Sequence, residues 1–177
     1  MMNLIVSDTT TLIVLERLDA LSMLCSLFDQ ILIPQAVMDE LLSGNSEINE
    51  LMQQAGCYDV VSVNVSERLL EFYKWLDKGE AEAIELALTS QLPLIIDERK
   101  GRKIARQKNL SVIGLAGLMV LAAKRHHKTP KAALELLDQA ILSGFRLSNK
   151  LYQQVKDALS AIENENFVSQ DCQNNGE

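Results

Sequence analysis

Four acidic residues of this sequence have the types and spacing that metal-assisted phosphoryl chemistry requires. Asp8 and Asp97 each follow a short apolar run, and Glu40 and Glu80 lie in helical patterns on faces that they share with apolar residues. Four carboxylates gathered in one place would repel one another without a counter-ion, and oxygen-only ligands suit Mg²⁺ or Mn²⁺. The four acids therefore predict a site for one or two of these ions.

The elements that would bring these acids together alternate between strand and helix. Apolar runs at residues 4–6, 30–33, 92–96 and 111–114 predict short buried strands, and residues 60–65 predict a minor one. Helical patterns lie between them, and the first covers residues 10–28. This alternation predicts an α/β fold, a three-layer sandwich with a central, mainly parallel sheet flanked by helices. Asp8 would then end the first strand, where open α/β sheets bind their ligands.

Each of the four acids also has a simpler explanation. Asp8 and Asp97 could be helix caps, and Glu80 could be a first-turn acid that complements the helix dipole. Glu40 could be a surface charge.

Helical spacing separates two neighbouring glutamates. Glu80 shares its face with Ala83 and Ile84, which predicts that it points into the protein. Glu82 groups instead with Glu85 on a face that is expected to be more solvated.

The charge of the chain is distributed unevenly. The 177 residues are 47% apolar and 23% charged, which is typical of a globular protein, and the net charge is −7. Residues 97–128 nevertheless contain nine Lys or Arg residues and only two acids. The overall charge argues against indiscriminate binding to nucleic acid, but one basic segment lies on an acidic body.

The cysteines and the start of the chain indicate the cellular compartment in which the protein is expected. Three widely spaced cysteines predict reduced thiols rather than a disulfide framework or a zinc site: Cys25, Cys57 and Cys172. The start of the chain lacks the basic segment of a signal peptide, and no apolar run approaches the length of a membrane span. These features predict a cytoplasmic protein.

Other kinds of site find little support. The haloacid-dehalogenase pattern needs a second Asp where this chain has Thr10, and no glycine-rich phosphate-binding motif is present. Phe72, Tyr73 and Trp75 fall in one helical pattern that is typical of a core, so the sequence predicts no platform for stacking bases.

Four stretches of the chain resemble the motifs of one family. They are Val-Ser-Asp-Thr-Thr-Thr-Leu at 6–12, Ile-Pro-x-x-Val-x-x-Glu-Leu at 33–41, Gly-Glu-Ala-Glu-Ala-Ile-x-Leu-Ala at 79–87 and Leu-Ile-Ile-Asp-Glu-Arg at 94–99. In order and spacing they resemble PIN-domain proteins of the VapC-like kind, the ribonuclease toxins of bacterial and archaeal toxin–antitoxin pairs. Residues 144–152 resemble the tail of a longer PIN subgroup.

The resemblance assigns roles to individual residues. Asp8, Glu40, Glu80 and Asp97 match the metal-binding acids, and Thr10 matches the polar residue beside the first Asp. The third acid is usually Asp in the family, which leaves Glu82 as a competitor of Glu80. The context of the fourth acid also differs, so that Glu98 could share or take the role of Asp97.

The resemblance also implies an activity and partners. It implies a metal-dependent endoribonuclease, with Mg²⁺ or Mn²⁺, that hydrolyses single-stranded or structured RNA, pairs with a small antitoxin and forms a homodimer. The alternative is a catalytically silent PIN-like interaction module. The cations that follow Asp97 would contact phosphates, with a solvated helix face as the alternative: Arg99, Lys100, Arg102, Lys103 and Arg106. We expect a catalytic domain at 1–128, a helical extension at 129–164 and a disordered tail at 165–177.

Overall fold

The computed structural model describes residues 3–174, with side chains for residues 3–165. The chain divides into two compact units, the first ending at Leu115 and the second beginning at Ala116. The catalytic domain that we expected at residues 1–128 and the helical extension at 129–164 stay predictions. The last helix continues to Asn174, within the tail that we expected to be disordered, and residues 175–177 of that tail lie outside the described residues.

A five-stranded parallel sheet forms the centre of the first unit. In chain order its strands are β1 (Leu4–Ser7), β2 (Gln30–Pro34), β3 (Tyr58–Val61), β4 (Leu94–Ile95) and β5 (Val112–Ile113). Their order in the sheet is β3-β2-β1-β4-β5, and every neighbouring pair is parallel. Helices flank this sheet, so the predicted α/β class is confirmed.

The apolar residues of β1 explain why it occupies the middle of the sheet. Ile5 and Val6 point to opposite faces and are 1% and 0% exposed, as expected for a strand covered by helices on both sides. Ile5 pairs with Ile31 of β2, and Val6 pairs with Leu94 of β4. The central strand is therefore fixed from both sides.

In the part of the chain that the structure describes, seven helices connect these strands and precede Leu115. They are α1 (Thr9–Arg17), α2 (Ser22–Leu27), α3 (Gln35–Gly44), α4 (Ile48–Ala55), α5 (Glu67–Phe72), α6 (Lys78–Ser90) and α7 (Arg99–Gln107). The single helix predicted over residues 10–28 is in fact α1 and α2. The chain turns between them at Asp19, whose φ of 51° is a left-handed conformation that Asp tolerates better than most residues.

The remaining helices are α8 (Leu115–Lys124), α9 (Pro130–Leu142) and α10 (Asn149–Asn174). Thr129 caps α9, because its hydroxyl accepts a hydrogen bond of 3.1 Å from the N–H of Ala132. The hydroxyl of Tyr152 in α10 donates to Asp138 Oδ1 in α9 at 2.8 Å. No helix among the described residues is long and apolar enough to cross a membrane.

Two of the cysteines form a disulfide, so the prediction of reduced thiols is wrong for Cys25 and Cys57. Cys25 lies in α2 and Cys57 lies just before β3, with their Cα atoms 5.5 Å apart. The sheet brings them together because the backbone of Cys57 pairs with Ile31 of β2, the strand that follows α2. A sequence separation of 32 residues does not reveal this proximity. The side chain of Cys172 lies outside the described side chains.

Candidate active site

The first and fourth predicted acids meet where the strand order reverses. The chain leaves β1 toward β2 and β3 and then returns to β4 on the other side of β1, so the carboxyl ends of β1 and β4 flank a crevice. Asp8 follows β1 directly, and Asp97 lies two residues after β4. The Asp97 N–H donates to Asp8 Oδ2 at 3.4 Å, which places these two acids side by side.

Asp8 is a buried acid that lacks a full set of partners. Its side chain stands at the N-cap position of α1 but accepts no capping hydrogen bond, and the residue is 1% exposed. Oδ1 is buried and has no hydrogen-bond partner among the described residues. Burial raises the pKa of Asp8 well above its ordinary value, and the charges of Asp97 and Glu80 act in the same direction. The backbone N–H groups of Asp97 and Thr11 oppose this rise, but Oδ1 remains without a hydrogen-bond partner in the described part of the chain.

Asp97 is held by neutral donors. The Thr11 hydroxyl donates to Oδ2 at 2.6 Å, and the N–H of Leu115 lies 3.1 and 3.0 Å from the two carboxylate oxygens. Burial raises the pKa of Asp97, whereas these hydrogen bonds and the charge of Arg102 oppose the rise. Gly114 leaves the necessary space, because a Cβ there would collide with Asp97 Oδ1.

Glu40 reaches the site from α3. Its carboxylate accepts hydrogen bonds from the Thr9 hydroxyl and from the N–H of Gly79, the latter at 3.2 Å. The N–H groups at the start of α6 favour a negative charge. A Cβ at position 79 would lie 2.9 Å from both carboxylate oxygens, so a larger residue there would displace the Glu40 carboxylate.

Glu80, in the first turn of α6, is 8% exposed. Burial raises its pKa to about 7, with further contributions from the negative charges of Asp77, Glu98 and Glu40. A Cβ on Gly101 of α7 would lie 3.6 Å from Glu80 Oε1, so the start of α7 is close to this carboxyl group. Glu98 itself is exposed and occupies the N-cap position of α7.

Glu82 has a different environment from the one we expected. It is 7% exposed rather than solvated, because α6 is buried around its whole circumference from Gly79 to Ala87. Its Oε2 accepts from the N–H of Ala36 at 3.2 Å, and its Oε1 accepts from the Tyr73 hydroxyl at 3.0 Å. With both oxygens occupied, Glu82 connects α6 to the start of α3, and Glu80 is the glutamate that faces the other acids.

The expectation of a solvated face is also wrong for Glu85, which is 2% exposed. The Arg68 guanidinium donates to both of its oxygens, at 2.7 and 3.0 Å. The Ser66 hydroxyl donates to Oε1 at 2.8 Å.

The threonines around Asp8 differ in position. Thr10 is exposed, whereas the hydroxyls of Thr9 and Thr11 bind Glu40 and Asp97. Residues two apart on a helix are separated by about 200°, so these two side chains can reach acids on opposite sides of the first turn of α1. Sequence reasoning missed both of them, although the run of three threonines after Asp8 was a visible signal.

The predicted basic residues lie on α7 in two different environments. Arg102 is half-buried, and its Nη1 donates to the carbonyl oxygen of Ile96 at 3.0 Å, close to the acids. The other four are exposed, and none has a carboxylate partner within 4 Å among the described residues: Arg99, Lys100, Lys103 and Arg106.

The three aromatic residues predicted for the core also differ from one another. Phe72 is buried, Tyr73 is half-buried, and Trp75 is 59% exposed. The prediction was wrong for Trp75 because α5 ends at Phe72, so the helical period on which the prediction relied does not continue.

The four acids have the ligand chemistry that a divalent cation prefers, but their present spacing does not match a formed binding site. In the part of the chain that the structure describes, no three His, Cys, Asp or Glu side chains are placed to hold one ion together. The donor set is nevertheless oxygen-only, and Asp8 Oδ1 lacks a partner. Asp8 interacts electrostatically with Asp97 and Glu80, and Glu80 with Glu40, so one positive charge here would relieve several repulsions.

Comparison with known proteins identifies the family of this chain. A family model described as DUF3368: PIN domain matches residues 4–161, and no curated protein matches the chain. Among solved structures, the chain is similar to a PilT N-terminus domain protein from the hyperthermophilic archaeon Sulfolobus solfataricus P2. The two are 16% identical, the match covers 84% of this chain and 99% of that one, and the TM-score is 0.44. The VapC-like subgroup stays a prediction. Because the family model spans most of its length, the chain belongs to the PIN-domain family.

Proposed function

We propose that this protein is a metal-dependent endoribonuclease that hydrolyses phosphodiester bonds in single-stranded RNA. PIN domains are generally nucleases. The observation that carries the proposal for this chain is the set of electrostatically coupled acids around the buried, unpartnered Asp8 Oδ1. A buried charge without a paired cation is costly for a fold, which makes such a cluster a candidate for function.

The four acids would together bind Mg²⁺ or Mn²⁺. Such an ion lowers the pKa of a bound water and stabilises negative charge on the phosphoryl group. Asp8 and Asp97 would bind it from the strand ends, and Glu40 and Glu80 from the helices. Thr9 and Thr11 orient two of these acids through their hydroxyls.

The exposed cations of α7 would provide the affinity for RNA. An acidic site repels a polyanion, so phosphate contacts must come from neighbouring positive charges. α7 begins two residues after Asp97. Arg99, Lys103 and Arg106 are exposed and available to phosphates.

We also propose, from the resemblance to VapC-like proteins, that the protein is the toxin of a toxin–antitoxin pair. A small antitoxin would then bind it, and two copies would form a homodimer. Co-expression with the product of an adjacent small reading frame should relieve toxicity if this proposal holds.

One observation favours the alternative of a catalytically silent PIN-like interaction module. In the described residues, the acids are close as pairs but no three of them are placed to hold an ion. The experiment must therefore separate metal binding from cleavage.

Cleavage of labelled single-stranded RNA with Mn²⁺, compared with EDTA, tests the proposal. Asp8→Asn and Asp97→Asn should abolish cleavage, and Asp39→Asn, which removes an exposed carboxylate next to Glu40, should not. Cleavage that persists in both site variants would reject the site. If the RNA is not cut but Mn²⁺ still raises the Tm of the wild type alone, the site binds metal and acts on another substrate. If neither effect occurs, the interaction module is the better explanation.

A further inference from the structure

Trp75 is the only tryptophan of the chain, and 59% of it is exposed. A single exposed apolar side chain needs no explanation by itself, but a second observation accompanies this one. The ammonium group of Lys100 lies over the indole ring, 5.7 Å from its centroid. A cation at this distance is attracted to the aromatic face. The ring therefore belongs to the same positively charged surface as the exposed cations of α7.

The backbone around Trp75 is well fixed. The N–H groups of Trp75 and Leu76 both donate to the carbonyl oxygen of Phe72, each at 2.9 Å. Phe72 and Leu76 are 5% and 8% exposed and anchor the short connection between α5 and α6 in the core. An aromatic ring on an anchored segment binds a flat partner at a lower cost in conformational entropy than a ring on a free loop.

Trp75 and Lys100 each lie close in sequence to a residue that is near Glu80. Asp77 lies two residues after Trp75, and its Oδ1 accepts the N–H of Glu80 at 2.8 Å. Lys100 precedes Gly101, where a Cβ would lie 3.6 Å from Glu80 Oε1. The pair therefore lies beside the candidate active site, on the side where α6 and α7 begin.

We propose that Trp75 is a stacking platform for one base of a single-stranded RNA, with Lys100 contacting the adjoining phosphate. Every nucleobase has a flat π-face that can stack on an aromatic side chain, and nearby cations hold the strand. The inference rests on the proposed function for the nature of its ligand. It adds the group that holds a base while the acids act on the backbone.

The single tryptophan makes a direct test possible, because the fluorescence of the protein reports on this ring. Titrations in EDTA, where no metal supports cleavage, use a short single-stranded RNA and an abasic ribose-phosphate strand of the same length. The RNA should quench the fluorescence, and the abasic strand should bind through its phosphates with little quenching. Equal quenching by both strands would overturn the inference, as would failure of the RNA to bind.

Variants separate stacking from charge. Trp75→Leu should weaken RNA binding by about 5- to 160-fold, the range measured for loss of one stacked base, and leave binding of the abasic strand unchanged. Trp75→Phe should restore most of the affinity. Leu70→Ala, which shortens an exposed apolar side chain on the preceding helix α5, is the matched control and should have no effect. Equal losses for both strands in Trp75→Leu would reject stacking.

The lysines give a second comparison. Lys100→Ala should weaken binding of both strands and alter quenching, whereas Lys103→Ala, on the same helix, should weaken binding and leave quenching by bound RNA unchanged. Quenching by bound RNA that is unaltered in Lys100→Ala would contradict the assigned role of Lys100.

The stacking platform and the proposed nuclease function can be refuted independently of each other. If RNA quenches in a base-dependent way but is never cut with Mn²⁺, the stacking platform stands and the nuclease proposal falls. If RNA is cut but quenching does not depend on bases, the nuclease proposal stands and the platform falls.

Discussion

Removing the charge of Glu80 should stabilise the metal-free protein at alkaline pH. The carboxyl group is 8% exposed, and its pKa is about 7 instead of the ordinary 4.5. Burial is the largest cause, followed by the negative charges of Asp77 and Glu98. The folded protein therefore retains a proton that the unfolded chain has already released between these two pH values.

The sign and size of the effect follow from this difference. The stabilising contribution is fully present below about pH 4.5, where both states are protonated, and it is lost as the pH rises through about 7. A pKa raised from 4.5 to about 7 corresponds to roughly 3 kcal/mol in total, of which about 2.5 kcal/mol is lost between pH 5 and pH 8. The pKa values of Asp8 and Asp97 are raised as well and act in the same direction, so only the variant isolates the share of Glu80.

Urea unfolding in EDTA at pH 5 and at pH 8 measures this share. Relative to wild type, Glu80→Gln should gain about 2.5 kcal/mol in unfolding free energy between the two pH values. Glu71→Gln, which neutralises an exposed glutamate on α5, should gain almost nothing. If Glu80→Gln and wild type show the same pH dependence, the burial and repulsion assigned to Glu80 are wrong.

Two further perturbations probe the surroundings of the site. Gly79→Ala places a Cβ 2.9 Å from both carboxylate oxygens of Glu40, so metal-dependent cleavage should fall on the order of a hundredfold. Gly44→Ala meets nothing within 4 Å and should keep the wild-type rate, and equal rates in the two variants would contradict the argument. Reduction of the disulfide, which bridges a sequence separation of 32 residues, should lower the unfolding free energy by about 3 to 4 kcal/mol. Cys25→Ser should lose the same unfolding free energy and show no further change with dithiothreitol. If dithiothreitol leaves the Tm of the wild type unchanged, the disulfide adds no stability.

The position of the acids at strand ends could be predicted because it depends on local patterns. A buried strand of a parallel sheet is a short apolar run, and the residue after it lies at the carboxyl edge. Asp8 and Asp97 satisfy this rule, and in a parallel sheet all such edges lie on one side. The sequence did not show that β1 and β4 are neighbours, since strand order depends on packing between distant segments.

The burial of Glu82 could not be predicted from helical periodicity. A period of 3.6 residues identifies the more polar face of a helix, but it does not reveal whether that face meets solvent. α6 contacts β1, β2 and β4 as well as three helices, so even its polar face is covered. Glu82 is accommodated there because Ala36 and Tyr73 donate to it.

The choice among the threonines also required the structure. The motif match points to Thr10 because of its position in the sequence. The hydrogen bonds instead involve Thr9 and Thr11, because these two threonines lie next to Glu40 of α3 and Asp97 after β4. Similarly, the exposure of Trp75 depends on where α5 stops.

The three buried glutamates of α6 provide the strongest internal argument that the acidic cluster serves a function. Glu85 is paired with the Arg68 guanidinium at 2.7 Å, and Glu82 lies 3.9 Å from the Lys78 ammonium, so this helix has cations for its structural acids. Among the described residues, Glu80 has no cation within 4 Å, although it faces further negative charges. An unpaired buried carboxylate lowers stability, whereas its neighbours show that pairing was available to the fold. In the metal-free protein a proton can relieve this carboxylate, as its raised pKa of about 7 shows, and under the proposed function a divalent cation would take that role.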